Sequence, residues 1–378
     1  MVLTLVLPCI GVLWICLWAF HIYPAWIRSP LISGARGRFA GRITVVIPAR
    51  NEEHNLPVLL ASMKGHGPSD MEIIVVNDHS TDGTAACVRS AMREDGRISL
   101  LECAELPEDW AGKTWALTQG VGKSHGDWLI FCDADVIMES DAIALAAGLV
   151  EQERLDCLSL LPRMENRNLA VASLLASFAM TRALLFSPAA PGKKGLIQGA
   201  FLMIRRSALE AVGGFRQIRK SVLEDVDLGY LLHGAGFRVS AVPARSILHT
   251  RMYGSFGEAV DGMSKHMFAV LRFSFAGVLV VSLAQCVMVL FPVLWFLAAL
   301  LAEAGVWFIP AHSLGAGLLA ILPMYAVFFA IVRSERLPAL SALAVPLFLL
   351  PLALILCRSV CGYISGGITW KGRRYSRY

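Results

Sequence analysis

Charge is scarce in this chain. Only 17% of its 378 residues are Asp, Glu, Lys or Arg and 56% are apolar, whereas a soluble domain carries about a quarter charged residues. The apolar excess gathers at the two ends, which excludes a chain surrounded by water throughout. No two of the nine cysteines (9, 16, 87, 103, 132, 157, 286, 357 and 361) are spaced CxxC, so no zinc or thioredoxin-like motif is present. An odd, scattered set fits a reducing compartment and places the main domain in the cytosol. Cys132, within an apolar run, reads as a buried free thiol. No GxGxxG opens a helix after a strand, which argues against a dinucleotide-dependent oxidoreductase. Internal repeats and low-complexity segments are also lacking. The net charge of +5 is too small to imply nucleic acid. Its Arg and Lys residues flank apolar segments, so a membrane surface is the better partner.

What is abundant is long apolar runs. Residues 2–20 carry no charge and are long enough to span hydrocarbon as a helix. A secretory signal is the rival reading, but it needs a basic start and a cleavage site, and neither is evident. The expected layout therefore begins with an anchor over 1–22. Arg28, Arg36, Arg38 and Arg42 follow it and place the next segment in the cytoplasm. Three more runs of spanning length cover 276–302, 313–332 and 338–357, within a membrane region at 276–357. The link Arg333–Arg336 looks cytoplasmic. Strict alternation then puts the basic tail, 358–378, outside, against the positive-inside rule. Pro346 and Pro351 offer a way out by breaking the last run into a re-entrant hairpin, which returns the tail to the cytoplasm. The cytoplasmic side is the leaning, and the sequence leaves it open.

Between the ends, residues 42–260 alternate strand and helix. Strands are predicted at Ile43–Pro48, Glu72–Asn77, Ile98–Glu102, Trp128–Cys132 and Cys157–Leu161. Helices are predicted at Glu53–Met63, Gly83–Met92, Thr114–Gly122 and Asp141–Gln152. That order implies an α/β domain with a mostly parallel sheet covered on both faces, with ligands at the carboxyl ends of the strands. One segment, Leu169–Phe186, is apolar apart from Arg182. It is read either as a buried helix or as an interfacial helix that admits a lipid acceptor.

Acidic motifs close several of these strands. Val45–Glu52 runs from a buried strand through Pro48, Ala49 and Arg50 into a polar loop, a fitting place for a base and ribose. Glu52 and Glu53 equally suit a helix N-terminus. Ile73–Thr84 ends a second strand at Asp78, which can accept hydrogen bonds from a nucleotide, while Asp82 reads as a cap. Trp128–Asp135 delivers Asp133 and Asp135, i and i+2, which share one side of an extended segment. Two such carboxylates repel unless a cation lies between them, and oxygen ligands suit Mg²⁺ or Mn²⁺ bridged to a diphosphate. A lone DxD is more often a solvated turn after a strand; three strand-end acidic motifs in sequence order favour the metal. Val222–Tyr230 places Glu224 and Asp225 before an apolar-periodic helix at Leu228–Leu232. Capping explains them, and so does a general base at Asp225.

The set PARNE, VVNDHSTDGT, DAD and EDVDL resembles inverting family 2 glycosyltransferases with the GT-A fold, over about 42–260. Leu106–Ala116, with its GKxWA, resembles bacterial carotenoid- and hopanoid-associated transferases, relatives of ceramide glucosyltransferases. Thr250–Tyr253, Gly262–Lys265 and Trp370–Tyr375 fit the same group. The resemblance implies a GT-A nucleotide-diphospho-sugar transferase domain with a mostly parallel mixed sheet, flanked by N-terminal and C-terminal transmembrane helices. It also implies a nucleotide pocket at Pro48, Ala49, Arg50, Glu52 and Asp78, and a metal pair at Asp133 and Asp135. Gln198, Gly199 and Ala200 fall near donor sugar and acceptor. Asp225 falls at the catalytic base, with Glu224 beside it. Lys113 is placed to meet nucleotide or phosphate, or else is a surface lysine. The QxxRW motif of processive synthases is absent; Arg251 and Tyr253 stand near its place. Single-sugar transfer is therefore expected, with Arg251 pairing with the diphosphate. The implied partners are a UDP-sugar donor, UDP-glucose by the resemblance, a lipid acceptor, a divalent metal and the membrane. A polyprenyl-phosphate sugar transferase is the rival enzyme, and a non-catalytic membrane scaffold is the rival of another class.

Overall fold

The computed structural model describes residues 2–20, 23, 39, 41–139, 141–185, 196–305, 313–370 and 372–375. Arg28, Arg36, Arg38 and Lys371 lie outside the described residues, as does the end of the tail, 376–378.

The apolar strand sequences become the centre of a sheet. The strands are β1 (Ile43–Ala49), β2 (Glu72–Asn77), β3 (Ile98–Glu102), β4 (Trp128–Cys132), β5 (Val136–Met138), β6 (Cys157–Leu161), β7 (Arg163–Met164), β8 (Phe201–Arg205), β9 (Val239–Pro243) and β10 (Leu248–Thr250). Among the described residues seven of them form one sheet in the order β3-β2-β1-β4-β8-β6-β9. β1 is parallel to β2 and β4, and β2 to β3. β8 runs antiparallel to both β4 and β6, so the sheet is mixed and mostly parallel. β1 and β4 are buried almost throughout, as expected of strands covered on both faces. A smaller sheet, β5-β10-β7, stands beside it.

Helices α1 (Val2–Leu17), α2 (Leu56–Met63), α3 (Thr84–Glu94), α4 (Gly112–Lys123), α5 (Ala142–Gln152), α6 (Leu169–Leu185), α7 (Arg206–Ala211), α8 (Glu224–Gly234) and α9 (Phe256–Val270) complete the first part of the chain. Three long apolar helices follow: α10 (Phe275–Glu303), α11 (Ser313–Ser334) and α12 (Leu340–Ile364), each long and apolar enough to cross a membrane. β11 (Ile368–Trp370) and β12 (Arg373–Tyr375) form a closing hairpin.

Four strands form with the expected bounds, and β1 extends one residue further, to Ala49. β8, β9 and the three short strands of the second sheet were not expected. Phe201–Arg205 carries an apolar run of only four residues before Arg205, too short to separate strand from buried helix by periodicity. α8 begins at Glu224, earlier than the apolar period, because the acids themselves form its first turn. α2 begins only at Leu56, since Asn51–Asn55 is committed to a loop. Pro346 and Pro351 do not turn the chain back: Val345–Phe348 tightens to a 3₁₀ turn and the helix continues to Ile364.

Two cores lie on the faces of the sheet, one around Val45, Ile130 and Met203 and one around Val46, Phe131 and Leu228. A third joins the domain to the apolar helices. In it Leu161 and Met164 meet Val171, Leu174 and Leu175 of α6, together with residues of α1, α9 and α11. Val171–Ala176 of α6 are covered by protein. Glu335, just past α11, is fully buried and accepts the amide of Met164 at 2.8 Å. α1 lies along α11, with Trp14 against Phe328 at 5.6 Å and the Trp14 indole donating to the Met288 carbonyl at 3.0 Å.

Gly11 sets that approach, because an added Cβ would run into the Leu319 carbonyl. Close helix contact of this kind relies on small residues. Gly11→Val should therefore destabilise the purified protein by about 1–3 kcal/mol through overpacking, read as a lower thermal midpoint in detergent, whereas substitution at the exposed Val12 should leave it in place.

Candidate active site at the carboxyl rim of the sheet

The ends of β1, β2 and β4 share one rim, with Ala49 paired to Asn77 and Val46 to Phe131. The loops after β1 and β2 are laced together there. Asn51 N donates to Ser80 Oγ at 3.0 Å, Glu52 N to Thr84 Oγ1 at 2.8 Å and Glu53 N to Asp82 Oδ2 at 3.1 Å. Glu53 answers by accepting the amide of Gly83 at 2.7 Å. Asp82 and Glu53 thus build the scaffold, and capping is only part of what Asp82 does. Arg50 donates to the Asp78 and His79 carbonyls, at 2.8 and 3.3 Å, and holds the loop that presents Asp78. Asp78 is 4% exposed, with Oδ1 at 3.1 Å from His79 Nδ1.

The DAD segment departs from its expected geometry. β4 ends at Cys132, and Asp133–Asp135 is a turn, closed by Val136 N on the Asp133 carbonyl at 3.2 Å. The i, i+2 alternation of an extended strand therefore does not apply. What Asp133 meets directly is Lys113: Nζ lies 2.7 Å from Asp133 Oδ1 and 2.7 Å from Glu224 Oε1. Lys113 sits in the first turn of α4, and Thr114 Oγ1 donates to the Arg219 carbonyl at 2.7 Å. The GKxWA segment is thereby tied to the chain that leads into α8. Burial opposes the ammonium charge, but Asp133, Glu224 and Asp225 outweigh it and hold Lys113 well above the usual lysine range.

Asp225 is fixed by two amides. Its Oδ2 accepts from Gly199 at 2.6 Å and its Oδ1 from Val226 at 2.8 Å. Burial, then the neighbouring Glu224, push it up to about 7. Gln198 is held by its own backbone, the amide on Ser159 Oγ at 3.0 Å and the carbonyl accepting that hydroxyl at 2.7 Å. Its Oε1 is buried without a hydrogen-bond partner. The Ala200 carbonyl accepts Asp133 N at 3.1 Å, so antiparallel β8 brings Gln198–Ala200 beside the DAD turn. Pro48, Lys113, Asp133, Gly199, Glu224 and Asp225 line one cavity.

Asp135 lies at the other side of that turn. Burial, then Asp133, then Glu52, raise it to about 7. Arg251 N approaches the Asp135 carbonyl at 3.4 Å, since β10 pairs with β5 directly after the turn. Tyr253 is buried near enough that burial and Asp135 raise its hydroxyl above the ordinary range. His266 on α9 was not anticipated; its Nδ1 is buried without a partner, and burial, Lys265 and Lys113 depress the imidazole. A lone His on an amphipathic helix gives no signal in sequence. Of the anticipated residues, Pro48, Lys113, Asp133, Gly199, Glu224 and Asp225 share the cavity, whereas Ala49, Arg50, Glu52, Asp78, Asp135, Gln198 and Arg251 stand outside its lining.

Asp133 helps to raise Asp135, and a neighbouring carboxylate pair with oxygen donors only fits a hard divalent cation. Among the described residues no cluster of three or more His, Cys, Asp or Glu forms a complete metal site. A pair suits an ion that completes its shell with donor phosphates and water.

Residues 44–224 match the model of glycosyl transferase family 2. The chain carries a family 2 glycosyltransferase domain. Over 212 residues, 54% of this chain, it is 32% identical to the probable glycosyltransferase YdaM of Bacillus subtilis (strain 168), spanning 49% of that protein. Over 239 residues, 61% of this chain, it is 26% identical to the 4,4'-diaponeurosporenoate glycosyltransferase of Staphylococcus haemolyticus (strain JCSC1435), spanning 62% of it. The match thus spans about half to three-fifths of these curated relatives. The mannosyltransferase PcManGT from Pyrobaculum calidifontis, solved with GDP-Man and Mn²⁺, superposes with a TM-score of 0.54 at 17% identity, over 90% of this chain and 99% of that one. That likeness speaks to the fold, which is GT-A-like.

The raised Asp225 makes stability depend on pH. Its folded value, about 7, exceeds the ordinary carboxyl value of 3.8, so the folded state holds the proton more tightly. The stabilisation is complete below about pH 4 and is lost as pH rises through about 7. In metal-free buffer the thermal midpoint should fall between pH 5 and pH 8, and Asp225→Asn should flatten that fall; an unchanged slope in the variant would assign it elsewhere.

Proposed function

We propose that the chain is a membrane glycosyltransferase. In this reading it moves a single sugar from a UDP-sugar, UDP-glucose by the family resemblance, to a lipid acceptor with inversion at the anomeric carbon. The observation that carries it is the convergence of Lys113, Asp133, Glu224 and Asp225 on one cavity at the carboxyl rim. Asp225 is proposed as the general base. A base whose pKa lies near the working pH is the most effective. The amides of Gly199 and Val226 each take one oxygen of its carboxylate, which fixes the plane while leaving a further lone pair on each. The acceptor hydroxyl loses its proton to Asp225 as its oxygen attacks the anomeric carbon, and the bond from that carbon to the diphosphate oxygen breaks on the opposite face. No covalent sugar–enzyme intermediate is needed.

Asp133 and Asp135 would hold Mg²⁺ or Mn²⁺, which supplies charge neutralisation for the departing diphosphate. Lys113 adds a fixed positive charge at the same place, one-third exposed and therefore reachable. Pro48, Ala49, Arg50, Glu52 and Asp78 are proposed to receive the nucleoside, and Arg251 to meet the diphosphate by its guanidinium. Support for a lipid acceptor comes from the fused core: α6 and α9 join the domain to the long apolar helices. One relative named for diaponeurosporenoate points the same way. The domain over 42–260 is placed in the cytoplasm, where nucleotide-sugars are available.

Purified protein in lipid nanodiscs, given radiolabelled UDP-glucose and membrane lipids with hydroxyl or carboxyl groups, should label lipid. Polyprenyl phosphate as the sole acceptor would indicate the rival transferase, because an ionised phosphate needs no base. Asp225→Asn should keep UDP-sugar binding and lose about 10²–10⁴-fold in turnover; near-normal rates would reject the base. EDTA should stop turnover and Mn²⁺ or Mg²⁺ restore it, while indifference to chelation would remove the metal from the reading.

A further inference from the structure

By length and apolarity α12 matches α10 and α11 as a membrane span. The positions of its two ends separate it from them. α10 and α11 run out and back as a hairpin, with the Trp295 indole donating to the Ser313 carbonyl at 3.2 Å and Phe296 against Gly317. The start of α10 at Phe275 and the end of α11 at Ser334 therefore lie on one side of the membrane. α12 begins just beyond Ser334. Glu335 there is docked on the Met164 amide of the transferase domain at 2.8 Å, and Leu337 is buried. At its other end, Tyr363 meets Phe273 edge to face with centroids 5.1 Å apart and donates to the Lys265 carbonyl at 2.8 Å. Phe273 stands two residues before α10. Both ends of α12 thus sit at the level where α10 leaves and α11 returns, whereas a crossing helix separates its ends by hydrocarbon about 30 Å thick.

Between those ends α12 runs beside α9 in the same direction. Phe348 meets Phe256 at 6.1 Å, Arg358 Nη2 lies 2.6 Å from Asp261 Oδ1, and Ser359 Oγ accepts the Phe268 amide at 3.0 Å. α9 in turn starts at the active-site rim, after Tyr253. One face of α12, with Ala342, Val345, Leu352 and Ile355, is buried in the core shared with the domain. The opposite face carries Leu340, Leu343, Leu347, Leu350, Leu354 and Ile364, each at least half exposed and spaced to form one stripe. The stripe adjoins the apolar base of α10, since Val278 packs in the same cluster as Tyr363 and Ile368.

We propose that α12 does not cross the membrane but lies along the bilayer surface, its leucine stripe seated at the boundary of headgroups and acyl chains and continuous with the lipid-facing flank of α10. The helix then works as a strap. It returns the C-terminal hairpin to the catalytic side, where Gly372, with φ +75° at the hairpin turn, lies beside Arg50: a Cβ on it would be 3.7 Å from Arg50 Nη2. Burial of an apolar stripe at the interface is the ordinary driving force for such placement.

Spin labels placed singly at Leu340, Leu347, Leu354 and Ile364, in the full chain with its own cysteines replaced and reconstituted in nanodiscs, report depth through oxygen against nickel-complex relaxation. Four similar, shallow depths are expected. A profile that deepens to the bilayer centre between Leu347 and Leu354 and shallows again at Ile364 overturns the proposal. Should the cysteine-free chain fail to fold, the native chain with a C-terminal tag in sealed vesicles decides the matter. Protease that reaches the 42–260 domain should remove the tag as well, and a tag protected until the vesicles are opened overturns the proposal. Neither readout depends on sugar transfer, so the result stands apart from the proposed activity.

Discussion

One ammonium group holds the acidic rim together. Lys113 touches Asp133 and Glu224 at 2.7 Å each and lies in the field of Asp225. Carboxylates from the end of β4 and the start of α8 would otherwise repel in a half-buried site, since desolvation magnifies like-charge repulsion. The sequence secures the lysine twice. Gly120 lets α4 lie directly on Val46 of β1, and Ala111 N and Thr114 Oγ1 both donate to the Arg219 carbonyl at 2.7 Å. The GKxWA segment therefore works as a strut between the rim and the helix that carries Asp225. A positive side chain held in the cavity also prepares the place that a diphosphate would fill.

Much of this was legible beforehand. Strands such as Glu72–Asn77 and Trp128–Cys132 declare themselves by continuous apolar runs ended by polar residues, which is how parallel strands buried on both faces must read. The acidic motifs at their ends follow from topology, because parallel strands deliver their carboxyl ends to one rim. β8 stayed hidden, since its direction is set by pairing with β4 and β6 and not by any local preference. The DAD turn was misjudged for a related reason. Alternation holds only while a strand persists, and β4 stops one residue before Asp133. Lys113 was ambiguous between surface and site; only the fold of α4 against β1 aims it inward. The reciprocal bonds of Glu53 and Asp82 join residues in two loops whose closeness no spacing rule reveals.

In the membrane region length and hydropathy identify three helices that could span and say nothing of how their ends are held. A helix of 25 residues with few charges satisfies every compositional test for a span, yet composition cannot register where its ends are tied. Pro346 and Pro351 were read as breaks, but a proline near the start of a helical segment needs no amide partner there, and the segment absorbs the first of them as a 3₁₀ turn. The side-chain evidence is of another kind. Ser359 and Tyr363 spend their hydroxyls on the backbone of α9, and Arg358 is paired with Asp261. Polar groups so committed fasten that face of the helix to protein rather than to lipid.

A flat strap beside α9 would also bear on how the proposed lipid acceptor meets the cavity at the rim. Withdrawing an acyl chain from the bilayer costs about 0.8 kcal/mol for each methylene exposed, so an enzyme for such acceptors gains by keeping its rim at the headgroup level. In this chain α9 would provide that geometry. Its first residues follow Tyr253, beside Asp135, and its last turn meets the base of α10 through the Phe268, Phe273 and Val278 cluster. The rim and the membrane boundary are thus joined by one helix, with the buried Nδ1 of His266 between them. Anchoring by α1, α10 and α11 would fix the depth, and the strap would fix the tilt. The proposed chemistry then needs only the polar end of the acceptor to rise to Asp225 while its apolar part remains dissolved.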